Sequence, residues 1–196
     1  YNLPRTPIKD TERRKDKFEQ IFGVGATELD ALEALYPGER ASLLLAVPTM
    51  LVGLLEHPDR PTRDCSSLRT VMSGSTVVPA ELVRRTRSTW DCEFSILFGQ
   101  TELHGVLTQT LPTEDDEDQA TTLGIPLTHV EVKIADTATG APVPIGMSGE
   151  ICARGYQSML GYFEMADATA VALDAGGWLH TGDLGSMDER GYLRIT

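Results

Sequence analysis

Lysine is nearly missing from this chain. Four of the 196 residues are lysines, three of them are Lys9, Lys15 and Lys17, and only Lys133 remains after Phe18. Any chemistry that needs a lysine ammonium must draw on the N-terminal arm or on Lys133. Positive charge is scarce overall: Lys+Arg number 17 against Asp+Glu 29, a net charge of −12. That balance argues against a nucleic-acid partner, because phosphate binding needs a basic face. Long apolar runs are also missing. The longest, Leu43 to Leu55, is 13 residues and contains Pro48, short of the roughly 20 needed to span a bilayer. The N-terminus, YNLPRTPIKDTERRKDKF, lacks the apolar core of a signal peptide. Cysteine is rare and odd in number: Cys65, Cys92 and Cys152 form no CxxC pair. They read as reduced, buried thiols of a cytoplasmic protein. His57, His104, His129 and His180 show no metal-ligand spacing. Ser73 and Ser75 stand in no GxSxG elbow, and FGVG at 22–25 is not a GxGxxG.

What remains is an ordinary folding composition, 41% apolar and 23% charged, with enough length for one large domain or two small ones. Residues 1–20 carry six basic and four acidic side chains, so this arm is net +2 and the other 176 residues carry −14. We read 1–26 as a basic arm. TELDALEALYPG, from Thr27, has Leu29, Leu32 and Leu35 at helical spacing, a Thr start and a Pro-Gly stop. SLLLAV at 42–47 reads as a buried strand. A helix near Thr49–Glu56, a strand Leu68–Met72, a helix from Pro79 to about Thr89 and a strand near Cys92–Leu97 complete a βαβαβ pattern over 27–111, which predicts a parallel sheet. From 112 to 196 short strands dominate: Val130–Ile134, Glu150–Arg154 and Tyr192–Ile195, with Val106–Thr110 just before them. HVEVKI alternates, so Lys133 is expected to face water. DERGY at 188–192 signals a hairpin, one helix is expected near Ala166–Leu173, and EDDED at 114–118 reads as a solvated loop rather than a metal site. The fold class is therefore α/β, a parallel βαβαβ unit followed by antiparallel or barrel strands.

Three segments could carry chemistry. ILFGQTE places Gly99, Gln100, Thr101 and Glu102 past the carboxyl end of a parallel strand, where ligands bind open α/β sheets. Gly99 would allow close approach of a ligand, Thr101 supplies a hydroxyl, and Glu102 a carboxylate suited to a hard cation. A plain loop is the alternative. TVMSGSTVVP puts Ser73, Gly74, Ser75 and Thr76 at the end of the preceding strand, where backbone N–H groups can meet an anion or a flat ring; a strand-to-helix turn with an N-cap is the alternative. In GWLHTGDLG, Asp183 could accept two hydroxyls of a diol, or be a turn aspartate.

Together these segments resemble the adenylate-forming superfamily of acyl-CoA synthetases, luciferases and peptide-synthetase adenylation domains. SGSTVVP (Ser73–Pro79) is similar to its SGGxPxP segment, FGQTE (Phe98–Glu102) to YGxTE, and GEICARGYQSMLGYF (Gly149–Phe163) to GELxxRGxxxMxGY. GWLHTGDLG and DERGYLRI resemble the stretch before the interdomain hinge. The wording, LLLAVPTML and SSLRTVMSG included, is nearest to bacterial fatty-acyl-CoA synthetases, over about Ala41–Thr196. The resemblance implies part of the large N-terminal domain of such an enzyme and an ATP- and magnesium-dependent reaction. A carboxylic acid, by this wording a fatty acid, becomes an acyl-adenylate and is then passed to CoA. It implies that Ser75, Thr76 and Val77 form one wall of the adenine site and that Phe98 lies on the ring, beside Gly99 and Gln100. Thr101 would bond the α-phosphate, Glu102 hold magnesium, Asp183 bind the ribose, and His104 and Gly105 lie near the acyl group. Ser75 and Val77 depart from the family's usual Gly and Pro.

The family's TSGTTGxPKG-type phosphate loop is not found in the 196 residues, and the sequence stops before the hinge Gly-Arg and the lysine-bearing C-terminal domain. The expectation is a truncated piece with little adenylation of its own, uncovered apolar strand faces and a tendency to form homo-oligomers. The competing readings are a non-catalytic nucleotide- or acyl-binding module, and a relative that adenylates an aryl or amino acid.

Overall fold

Parallel pairing of three short strands organises the first half of the molecule, which a computed structural model describes over residues 40–196. The helix expected from Thr27 and the basic arm lie outside the described residues. Strand β1 (Leu43–Leu45) pairs with β2 (Thr70–Gly74), and β2 with β3 (Glu93–Phe98), all parallel. Two short antiparallel strands, β4 (Thr108–Gln109) and β5 (Ile125–Pro126), extend the sheet in the order β1-β2-β3-β4-β5.

The crossovers are helices because their apolar residues recur at helical spacing. Helix α1 (Pro48–Glu56) starts with Pro48, where a missing N–H costs nothing, and buries Leu51, Leu54 and Leu55. Helix α2 (Ala80–Trp90) buries Leu82, Val83 and Thr86, and stops where Asp91 turns into the left-handed region. Both faces pack with Leu44, Val71, Phe94 and Ile96 into one core. Strand β1 differs from the buried strand expected: Leu43 and Leu45 are 50% and 63% exposed. Among the described strands it stands at the edge, and its core contacts come through Leu44 and Ala46.

The second sheet is antiparallel, in the order β6-β7-β8-β9: β6 (Val130–Ala135), β7 (Gly149–Gly155), β8 (Leu179–Met187) and β9 (Leu193–Ile195). Asp188–Tyr192 closes the β8–β9 hairpin, with Asp188 N donating to Tyr192 O. Helix α4 (Ala166–Ala172) stands between β7 and β8. One face of this sheet, through Ile134, Ile151, Ala153, Leu179 and Leu193, forms a second core. Leu103 and Leu107, which follow β3, belong to that second core, so the turn after β3 joins the two sheets. Lys133 does not simply face water: its Nζ sits 4.7 Å from the Trp178 ring centroid and donates to Gly140 O.

The acidic stretch departs from the expected solvated loop. Asp115 accepts from Glu117 N and Asp118 N and caps helix α3 (Asp116–Thr121). Arg190 then grips both Asp118 oxygens at 2.8 and 2.9 Å, and Arg87 meets Asp116 Oδ1 at 2.6 Å. Charges that would repel in a loop are neutralised by arginines from other elements. Among the described residues no disulfide joins the cysteines; burial pushes the Cys92 and Cys152 thiols up to about 11, so both are protonated at neutral pH. Among the described residues no helix is long and apolar enough to cross a membrane.

Candidate functional site

Because β2 and β3 run parallel with Gly74 beside Leu97, the segments that leave their carboxyl ends emerge side by side. They form one wall of a cleft of about 480 Å³. Ser75, Thr76, Val77 and Val78 come from the first segment, and Phe98 and Gly99 from the second; Ile96 and Leu97 lie beneath. Ser75 adopts φ +67°, a conformation natural to glycine and strained for serine. It is not an N-cap: α2 is preceded by Pro79 and has no side-chain cap. Val77 is 76% exposed, an apolar surface offered to the cleft rather than to a core.

The opposite wall is the end of α3 and the residues after it, Ala120, Thr121, Thr122 and Leu123, with Ile195. Sequence reasoning missed this wall, since no alternation marks it. Leu123 N donates to Leu193 O and Leu193 N to Gly124 O, which holds the segment on β9.

Asp183 reaches the same cleft from the second sheet. GWLHTGDLG is not an isolated turn but runs into β8, the longest strand described. The β7–β8 ladder pairs Glu150 with Leu184 and Cys152 with His180, so three residues, Thr181–Asp183, face Ile151 alone. This bulge, with Gly182 at φ +76°, turns the chain out of register and aims Asp183 away from the ladder. Thr181 Oγ1 accepts Asp183 N at 3.1 Å. No hydrogen bond or ion pair ends on the Asp183 carboxylate among the described residues. Among the described residues it is the one ionisable side chain lining the cleft. The lining among the described residues, an apolar floor, several hydroxyls and a single carboxylate, suits a flat ring joined to a diol.

Gln100, Thr101, Glu102, His104 and Gly105 follow Gly99 but do not line the cleft. Thr101–Leu103 form a 3-10 turn that buries Leu103 and leaves Thr101 exposed. The Tyr162 hydroxyl donates to Glu102 Oε1 at 2.7 Å, a link across 60 residues. That bond holds the Glu102 carboxyl below its usual range and the Tyr162 phenol above its own. His104 sits at φ +53° with Nδ1 against Gln157 O, which fixes its ring on the 155–159 segment. Gly99 is needed by the chain itself: an added Cβ would stand 2.4 Å from Gly105 O and 2.8 Å from Leu107 N. The glycine therefore serves the doubling back of this turn.

The Glu102 carboxylate also accepts its own backbone N–H, and Thr101 beside it is exposed. A carboxylate oxygen next to a hydroxyl fits one arm of a magnesium site completed by phosphates and water.

The family profile described as AMP-binding enzyme matches residues 21–163. A Bacillus subtilis protein named as an acyl-CoA synthetase is 42% identical over 159 residues, 81% of this chain and 29% of its own length. A mitochondrial medium-chain acyl-CoA ligase of Rattus norvegicus is 34% identical over 166 residues, 84% of this chain and 27% of its own. Among solved structures, an amide bond synthetase of Marinactinospora thermotolerans superposes with a TM-score of 0.77 at 34% identity, over 88% of this chain and 35% of that one. The chain thus spans under a third of the length of the two curated relatives.

Proposed function

The chain belongs to the AMP-binding enzyme family, and from that premise we propose that it carries the nucleotide side of an acyl-CoA ligase. In this reaction a carboxylate oxygen attacks the α-phosphorus of ATP and pyrophosphate leaves; the CoA sulfur then attacks the acyl carbon and AMP leaves. Ser75, Thr76 and Val77 form the adenine wall and Phe98 lies on the ring. Asp183 accepts the ribose hydroxyls. Thr101 donates to the α-phosphate, and Glu102 would hold magnesium, which neutralises phosphate charge. His104 and Gly105 lie toward the acyl group. Likeness to a medium-chain acyl-CoA ligase supports an aliphatic acid.

One observation carries this reading: three segments far apart in sequence meet in one cleft around a carboxylate that has no partner among the described residues. The described lining of this cleft suits binding better than turnover. Among the described residues no lysine or arginine lines it, and removing even one transition-state donor typically lowers rate by ~10²–10³.

Calorimetry of the 196-residue chain with AMP tests the proposal. Hydrogen bonds to a charged group contribute about 1.5–3 kcal/mol, so Asp183→Asn should weaken AMP by roughly 10- to 100-fold. The same substitution should have little effect on 2′,3′-dideoxy-AMP, which lacks the diol. If Asp183→Asn left AMP binding unchanged, or weakened both ligands equally, the assignment of Asp183 to the ribose would be wrong.

A further inference from the structure

Spacing along the sequence hides a second cluster, which the β7–β8 ladder assembles. Cys152 and His180 are direct cross-strand partners, and Glu150 lies two residues before Cys152 on the same face of β7. The three ligand-bearing atoms all lie within 4.8 Å of one another. Cys152 Sγ is 3.6 Å from His180 Nδ1, and Glu150 Oε2 is 2.7 Å from the same nitrogen. We propose that Glu150, Cys152 and His180 form a binding site for a divalent cation of the zinc class.

The distances suit that ion. Zinc–sulfur and zinc–nitrogen bonds of about 2.3 and 2.0–2.1 Å at a tetrahedral angle place sulfur and nitrogen about 3.6 Å apart, which is the spacing already present. The carboxylate must swing back by roughly 0.6 Å to reach the tetrahedral oxygen–nitrogen spacing, a small torsion for a glutamate. Thiolate, imidazole and carboxylate together select a borderline-soft ion over magnesium or calcium. Asp174 Oδ2 lies 3.9 Å from His180 Nε2. It stands where a carboxylate orients a metal-binding imidazole through its other nitrogen.

Charge balances as well. Lys133 reaches this face from β6, opposite Cys152. With a thiolate, two carboxylates, one lysine and a dication, the assembled site is neutral. Binding forms a sulfur–metal bond and releases the thiol proton to solvent. Cys152 is fully buried, whereas the His180 and Glu150 side chains are 27% and 19% exposed, so the ion enters from their edge. Glu150 Oε1 accepts Gly182 N at 3.1 Å, so the ion would also fix the foot of the bulge that bears Asp183.

Zinc alone, titrated into the chain against a chromophoric chelator, tests the site, with cobalt(II) as the spectroscopic probe. The expected result is one ion per chain and, with cobalt, a near-ultraviolet sulfur-to-metal charge-transfer band beside intense visible bands of a four-coordinate ion. Cys152→Ser should abolish the charge-transfer band, and Cys65→Ser should leave it. His180→Gln should lower zinc affinity at least ~100-fold, and Asp174→Asn by roughly 10- to 100-fold. Circular dichroism verifies that each variant folds. Asp174→Asn, which alters no ligand, keeps the test decisive if the others do not fold. Absence of stoichiometric zinc binding by the wild-type chain, or a charge-transfer band that survives Cys152→Ser, would overturn the proposal. Because neither readout involves nucleotide, the outcome is independent of the AMP measurement.

Discussion

Replacing Gly99 by alanine should be among the most damaging single changes available near the cleft, and the structure gives its size. The new Cβ would stand 2.4 Å from Gly105 O, 2.8 Å from Leu107 N and 2.8 Å from Val106 Cα. All three are backbone atoms, so no side chain can swing aside. Carbon contacts relax only near about 3.5 Å, and the returning chain must therefore retreat by roughly 1 Å. It has little room to do so. Leu107 N donates to Phe98 O at 2.7 Å, β4 is paired on β3 through Phe98–Thr108 and Leu97–Gln109, and Leu103 and Leu107 are anchored in the second core. Overpacking of this kind costs about 1–3 kcal/mol. Stretching the Leu107 bond out of range leaves a buried donor unpaired, at a further ~1–3 kcal/mol. Alanine recovers only about 0.4–1 kcal/mol through the unfolded chain.

We therefore expect Gly99→Ala to lose about 3 kcal/mol, read by urea unfolding followed with circular dichroism. With a slope of about 1–3 kcal/mol per molar urea, the midpoint falls by roughly 1–3 M. Gly105→Ala is the internal control. A Cβ there meets nothing within 4 Å, so only the cost of holding alanine at φ +97° applies, about 1–2 kcal/mol. If Gly99→Ala kept its midpoint, or lost less than Gly105→Ala, the close packing of the turn would not be what requires glycine.

Ser75→Gly should act in the opposite direction. Relief of the left-handed strain at φ +67° gains about 1–2 kcal/mol, the freer unfolded chain takes back ~0.4–1 kcal/mol, and Tm should rise by roughly 1–3 °C; a fall would refute the strain. Tyr162→Phe should return the Glu102 carboxyl upward toward its ordinary range, measured by NMR titration. The Tyr162 bond lowers the Glu102 pKa and raises that of Tyr162. Its stabilisation is therefore present above the ordinary glutamate pKa and lost as pH falls through the lowered folded value; on the alkaline side it is lost as pH rises through the raised phenol. The stability gap between wild type and Tyr162→Phe should be flat around neutrality and close at both ends. A gap that does not change with pH, or a Glu102 that does not move, would contradict the hydrogen bond.

How much of this was legible in the residues follows from how local each cause is. Helices α1 and α2 and strands β3, β6 and β7 were readable because apolar periodicity is written in neighbouring positions. Strand β8 was not: HTGDLGSM carries no alternation, and it is extended because β7 and β9 pair with it. The N-cap of α3 was present in the sequence as Asp115, but a run of acids suggests a solvated loop until Arg87 and Arg190 are placed beside it. The Glu150–Cys152–His180 cluster was invisible for the same reason. Its two halves are 28 residues apart, and only the ladder register makes them partners.

The cleft divides along the same line. Ser75 and Phe98 could be placed together from pattern alone, because adjacent parallel strands deliver their carboxyl ends to one edge whatever the loops contain. Asp183 could not, because its aim depends on a bulge defined by a second strand. The far wall is less local still. Thr121–Leu123 reach the cleft because α3 is fastened to the β8–β9 hairpin, by Arg190 on Asp118 and by the Tyr192 hydroxyl on Glu114. A feature that looks like surplus surface charge in the sequence thus helps hold one side of the cleft in place, and the negative charge of this chain is partly structural: it is the counterpart of arginines that tie one sheet to the other.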